Sequence, residues 1–172
     1  MFWFNGIHAD DMDLHVLSIN REVKPAARMH LVQIPGHDGT FNVTDGTHEN
    51  RQISMICVYM GEQTRSNARS VAQWLSAEGF LVFDDEPDKA YLAHAHTPIT
   101  ADQILTLNEM HMDFDCQPFA ESVAYREQQT GNVSLPHEEN VVSAGTWATP
   151  CQITITAKSN MENITITKIS ER

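Results

Sequence analysis

Basic residues are scarce in this sequence: 11 lysines and arginines stand against 23 aspartates and glutamates in 172 residues, a net charge of −12. Such a surface repels a phosphate backbone, which argues against specific nucleic-acid binding. Cysteine is scarce too. Cys57, Cys116 and Cys151 lie far apart, are odd in number and form no Cys-x-x-Cys. That predicts free thiols in a reducing cytoplasm, not a disulfide framework or a thiolate metal site. No apolar run approaches the roughly 20 residues that span a bilayer. The opening Met1-Phe2-Trp3-Phe4-Asn5-Gly6 has no basic stretch ahead of a long apolar run. Neither a membrane span nor a secretory signal is therefore expected. There is no Gly-x-Ser-x-Gly turn for a serine nucleophile, and no glycine-rich loop leads into a helix to cradle phosphate. Cys57 sits inside the most apolar run, where burial keeps a thiol protonated and inert. Nothing singles out two of the 23 carboxylates as a glycosidase pair. No residue pattern points to catalysis or to a bound cofactor.

What is present reads as a folded, mainly β (α+β) chain. Hydrophobic residues make up 41% and charged residues 20%, enough to build a core at this length. Short apolar runs at 14–19 and 29–34 flank the basic, proline-containing "NREVKPAAR", and "PGHDG" at 35–39 carries turn chemistry. "ISMICVYM" (53–60) is apolar at nearly every position, which predicts a central strand covered on both faces. One helix is expected over about 64–78. Thr64 and Ser66 can cap its start, Ala68, Val71, Ala72, Trp74 and Leu75 form one stripe, and Gly79 is placed to end it in the left-handed conformation. Trp74 on that stripe reads as a core anchor. Residues 103–115 read as one or two strands, and the polar, Gly- and Pro-containing 131–145 reads as a loop. "CQITITA" (151–157) and "NITITKI" (163–169) alternate and predict a terminal hairpin. The organisation expected is a domain over 1–130, a linker over 131–148 and a terminal hairpin over 149–172. The architecture expected is an antiparallel β-sandwich or barrel-like domain with extended hairpins.

The stretch "LVFDDEPDKAYLAHA" (81–95) invites a chemical reading. His94 and His96 are two apart and would share one face of a strand, as two ligands of a zinc or iron site do. A third ligand could come from Asp84, Asp85, His111 or Asp113, but no pattern fixes it, and nine histidines make a chance pair common. The simpler reading of Asp84-Asp85-Glu86-Pro87-Asp88 is a solvated hairpin corner, with Pro87 setting φ and the acids bonding backbone N–H groups. No metal site is assigned. A third class of reading, a carbohydrate-binding β module, would stack sugars on Trp3, Trp147 or Tyr125.

The order of segments carries more than any single motif. "FNGI" (4–7) opening a first strand, "IPGHDGTF" (34–41), and "ISMICVYMG" (53–61) before a helix ending "VAQWLSAEG" (71–79) come first. "LVFDDEPDKAYLA" (81–93) with Tyr91, "MDFDCQPFA" (112–120) and "SAGTWATPCQITITA" (143–157) follow. Together they resemble, in order, the N-terminal domain of the siphophage distal tail protein family. His37 stands where the family's Pro-Gly-x-Asp-Gly loop would hold Arg. The resemblance implies a structural virion protein, not an enzyme. Six copies would form a ring hub joining tail tube to baseplate or tail tip, assembled in the bacterial cytoplasm. Partners would be other copies of the chain, the tail tube protein and baseplate proteins. The resemblance also implies a longer C-terminal β module than this chain holds after residue 157. On that reading, the acids at 84–88 and 113–115 would line a channel and keep passing DNA from sticking.

Overall fold

The computed structural model describes residues 1–100, 102–124, 127–134, 137–141, 145–147, 152–157 and 165–166. Among the described residues, ten strands and one α-helix follow in order: β1 (Phe2–Phe4), β2 (Ile7–His8), β3 (Leu14–Arg21), β4 (Ala27–Val32), β5 (Phe41–His48), β6 (Arg51–Tyr59), α1 (Arg65–Trp74), β7 (Gly79–Phe83), β8 (Glu86–Ala95), β9 (Glu109–Cys116) and β10 (Glu121–Ser122). The chain divides into two units, Met1–Arg126 and Glu127–Arg172.

In the first unit one antiparallel sheet runs β2-β1-β7-β8-β9-β6-β3, with β10 paired to β8 beyond the reach of β9. A separate two-stranded sheet joins β4 to β5. β1 and β9 are three strands apart in the large sheet, roughly 14 Å if it were flat. Yet the Phe4 and Phe114 rings lie 5.3 Å apart and those of Phe2 and Phe114 6.2 Å apart. The sheet is therefore curled around its core, the barrel-like form expected.

Alternation builds that core. In β9, Met110, Met112, Phe114 and Cys116 are buried, while Glu109, His111, Asp113 and Asp115 point away. β7 buries Leu81 and Phe83, and β1 buries Phe2 and Phe4. Each such side chain contributes about 1.5–3 kcal/mol by leaving water. β6 departs from expectation: Ile53, Met55, Cys57 and Tyr59 are buried, but Ser54, Ile56 and Val58 are only half-buried. Its second face is apolar without being covered, so it lies between β9 and β3 as the interior strand of an open-faced sheet.

Burial also fixes thiol chemistry. It pushes the Cys57 and Cys116 thiols up to about 12, in the latter case with help from the Asp115 charge and against Arg51. Both are free thiols, and Cys151 lies outside the described residues. Folding favours their protonated form, so this contribution is present below the ordinary thiol pKa near 8.5 and is lost as pH climbs towards about 12. With Cys151 replaced by serine, the folded chain at pH 8 is expected to leave Ellman's reagent unreacted, and to release two thiol equivalents on unfolding in urea. Rapid reaction of the folded chain would refute this burial.

α1 starts where expected: Thr64 Oγ1 accepts from the N–H of Asn67 at 3.2 Å. It ends earlier, at Trp74, and Gly79 is not a left-handed cap but the first residue of β7. The glycine is needed for proximity: a Cβ there would meet the side chain of Asn5, its Oδ1 at 1.6 Å. Asn5 and Gly6 have φ of 51° and 76°. They make the tight Asn-Gly turn between β1 and β2, so "FNGI" turns a hairpin instead of opening a strand. Trp74 is the anchor the stripe implied. It is stacked 5.9 Å from Phe2, and its indole N–H donates to the Phe4 carbonyl at 2.9 Å.

Two further expectations are corrected. Residues 103–107 form a π-helical turn (Gln103–Leu107) ended by left-handed Asn108, so only 109–116 of that stretch is strand. Residues 152–157 lie in no strand, although they alternate; an alternating run needs a partner to become one. The rest of that hairpin, 158–164 and 167–169, lies outside the described residues.

Candidate assembly surfaces

The β4–β5 hairpin is exposed at every residue but Ala27 and His48. Antiparallel partners share a face, so Val32 with Phe41 and His30 with Val43 lie on one side, and Met29 with Thr44 and Leu31 with Asn42 on the other. Every one of these eight residues is exposed, Leu31 by 67% and Phe41 by 47%. A two-stranded ribbon is marginal in water. Local devices shape it. The chain returns at 33–40 through Gly36 and Gly39, both with positive φ. At its base Asp45 Oδ1 accepts from the Thr47 N–H at 2.8 Å and the Thr47 hydroxyl at 2.6 Å, inside a bulge around Gly46. Those bonds hold the Asp45 carboxyl below its ordinary value. Arg28 pairs with Glu49 across the ribbon at 3.2 Å. His37 bonds its own loop through Nδ1 and the Asp38 carbonyl (2.8 Å) and lies 5.3 Å from the Phe41 ring.

A second uncovered apolar surface lies on the outer face of β1, β7 and β8. Trp3, Gly6, Phe80, Val82, Phe83, Asp84, Pro87 and Val123 line a shallow groove of about 320 Å³. Trp3 is 43% exposed and Phe80 49%. The alternation that buries Phe2, Phe4, Leu81 and Phe83 turns these aromatics outward.

The acidic corner between β7 and β8 is a two-residue turn at Asp84-Asp85, as the hairpin reading implied, with Pro87 within an irregular start of β8. Its acids are committed to ion pairs. Asp84 meets His8 Nε2 at 3.3 Å and the Met1 amino group at 3.4 Å. Asp85 pairs with Arg21, Glu86 lies 3.7 Å from Arg21, and Glu86 accepts from Lys89 at 2.7 Å. Arg21 in turn lies 4.3 Å above the Phe83 ring. The Asp85 carboxyl is held low chiefly by its Arg21 hydrogen bond. Asp84 also stays low: partial burial raises it, and His8 with the Met1 ammonium outweighs that.

His94 and His96 are both exposed, at the far end of β8 from Asp84 and Asp85. His94 stands opposite Asp115 in register, and the His96 N–H donates to the Asp113 carbonyl at 3.1 Å. Asp113 is occupied by the hydroxyls of Ser54 (2.6 Å) and Thr97 (2.8 Å), which lower its pKa. Asp115 accepts from Asn50 and Gln52, each at 2.8 Å. Among the described residues, no three His, Cys, Asp or Glu side chains converge as a metal site requires. Of the aromatics considered for sugar stacking, Trp3 lies in the first unit, exposed Trp147 in the second, and Tyr125 outside the described residues.

One buried group escaped the sequence reading. Arg51 is 7% exposed and shares the core face of β6. Its guanidinium lies 5.4 Å from the Tyr91 ring and reaches the Tyr91 hydroxyl and the Val23 carbonyl only at 3.5 Å. Among the described residues its Nε–H has no acceptor and no carboxylate pairs with it.

Residues 5–116 match the family of phage tail protein RIFT-related domains. The chain belongs to this family. As a phage tail protein it is a structural component of the virion tail, and the resemblance read from its segment order holds. The fold agrees: the crystal structure of SPP1 Dit, described as a paradigm of the hub adsorption apparatus in phages infecting Gram-positive hosts, superposes with a TM-score of 0.52 at 19% identity. The match covers 67% of this chain and 48% of that one, so this tail protein matches about half the length of its solved relative. No curated protein matches the chain.

Proposed function

We propose that this tail protein is a hub subunit. Six copies close a ring by head-to-tail contacts, one face of which docks the tail tube and the other the baseplate or tail-tip proteins. Assembly takes place in the host cytoplasm. The ring-forming part is the domain over 1–130. The observation that carries this reading is the β4–β5 ribbon, with apolar residues exposed on both faces. Such a surface gains free energy only when another chain covers it. A head-to-tail contact whose rotation closes gives a ring, not a fibre.

Size-exclusion chromatography with light scattering tests the reading. The expected result at high protein concentration is a species near six times 19.4 kDa. A monomer at every concentration and salt level would refute ring formation by this chain.

A further inference from the structure

We propose that the Arg51 guanidinium, with Arg21 beside it, binds a small oxyanion, a carboxylate or a phosphate, taken up from solution. Among the described residues two buried side-chain nitrogens have no hydrogen-bond acceptor, Arg21 Nη1 and Arg51 Nε. The strands bring the two side chains together. Arg21 pairs in register with Ile53, and Arg51 stands two residues before Ile53 on β6. A step of two keeps the same face, so the arginines are diagonal neighbours on the core side of the β3–β6 pair. Such positions are roughly 7–8 Å apart, within reach of long side chains. Both guanidiniums also border one aromatic pair. Arg21 lies 4.3 Å from the Phe83 ring and Arg51 5.4 Å from the Tyr91 ring, and the two rings are 6.3 Å apart.

The nearby acids are committed elsewhere. Asp85 pairs with Arg21, and Glu86, 3.7 Å from Arg21 Nη1, accepts from Lys89. Asp115, next to Arg51's register partner Cys116, lies on the opposite face and accepts from Asn50 and Gln52. What Arg51 does have is weak. Nη1 reaches the Tyr91 hydroxyl and Nη2 the Val23 carbonyl, each at 3.5 Å, beyond the usual range for such a bond. Val23 stands where the register would continue opposite Arg51, but β3 has ended at Arg21 and Val23 is 95% exposed. The backbone there is a connection and not a ladder, so an incoming group displaces little. A guanidinium holds an oxyanion through two parallel N–H···O bonds. On Arg51 the edge made by Nε and Nη2 offers that fork, with one N–H unmatched and the other held only by Val23. A buried charge without a counter-charge is costly, and a bound oxyanion supplies both the charge and the missing acceptor.

Thermal melts of the unaltered chain, Arg51→Met and Arg51→Lys test the site. They are run in chloride buffer at fixed ionic strength, titrated with inorganic phosphate and, separately, with acetate. The expected result for the unaltered chain is a saturable rise in Tm of a few degrees, the ratio of folded to unfolded chain increasing about 11-fold at ten times Kd. Arg51→Met should show no saturable rise. Arg51→Lys keeps the charge without the fork and should need about tenfold more anion. Acetate acting at lower concentration than phosphate marks a carboxylate site, and the reverse order a phosphate site. An unaltered chain that responds to neither anion would overturn the proposal. Equal responses in the unaltered chain and both variants would also overturn it, since the anions would then be acting elsewhere. Should Arg51→Met fail to fold, the unaltered chain and Arg51→Lys decide by the same comparison.

Discussion

Phe114→Ala is expected to cost about 3–5 kcal/mol of stability, the range for removing a buried phenyl ring from a core that cannot fully collapse. Phe114 has no exposed surface and lies edge-on to both Phe2 and Phe4, the contacts that bring β1 across the curled sheet to β9. Its backbone also pairs with β6 through Ile53 and with β8 through Ala95. The cavity would therefore open between strands whose register is fixed on both sides, with little freedom to close in. Urea unfolding followed by circular dichroism should show a lower midpoint with an unchanged slope, and heating should show a fall in Tm on the order of 10 °C. A loss below about 1 kcal/mol would mean that β1 does not pack on β9 and that the sheet is not curled.

Arg51→Met should move stability the other way, by about 1–2 kcal/mol, as replacing buried charges by apolar side chains of similar volume has done elsewhere. The guanidinium is removed from water and has two contacts at 3.5 Å, an unmatched Nε–H and one aromatic face in return. Burying a charge without a counter-charge and good hydrogen bonds is costly. Methionine fills the space beside Tyr91 and Cys116 and makes no such demand. The same urea titration reads the effect. A variant less stable than the parent would show that Arg51 is paired in solution, by an anion or by a carboxylate beyond the described residues.

Much of the fold was written in local patterns. The alternation of Met110, Met112, Phe114 and Cys116 with Glu109, His111, Asp113 and Asp115 specifies a strand with one wet face, because side chains alternate sides with a period of two. The Ala68–Val71–Trp74 stripe and the Thr64 cap specify α1 for the equivalent reason at a period of 3.6. Asp84-Asp85 between two apolar runs specifies a hairpin corner. The candidate surfaces were less legible. Trp3 and Phe80 look like core residues until register places Phe2, Phe4, Leu81 and Phe83 inside and leaves them out. Arg51 gives no sign in sequence of being buried, since nothing local distinguishes a strand-end arginine in water from one turned inward. The helix end was misplaced because Gly79 serves a close approach to Asn5, a contact 74 positions away along the chain.

The sequence by itself determined the class of the protein. Acidic charge, scattered thiols, strand-period alternation and the order of its segments were enough to place it as a β-rich structural chain related to phage tail proteins, because each depends on residue type and short-range spacing. Only the tertiary structure decided which apolar residues face water. Curling one sheet around Phe114 consumes one face of each strand, and apolar surface remains exposed on the β4–β5 ribbon and in the Trp3–Phe80 groove. That division depends on pairing between residues distant in sequence, and short-range spacing does not encode it.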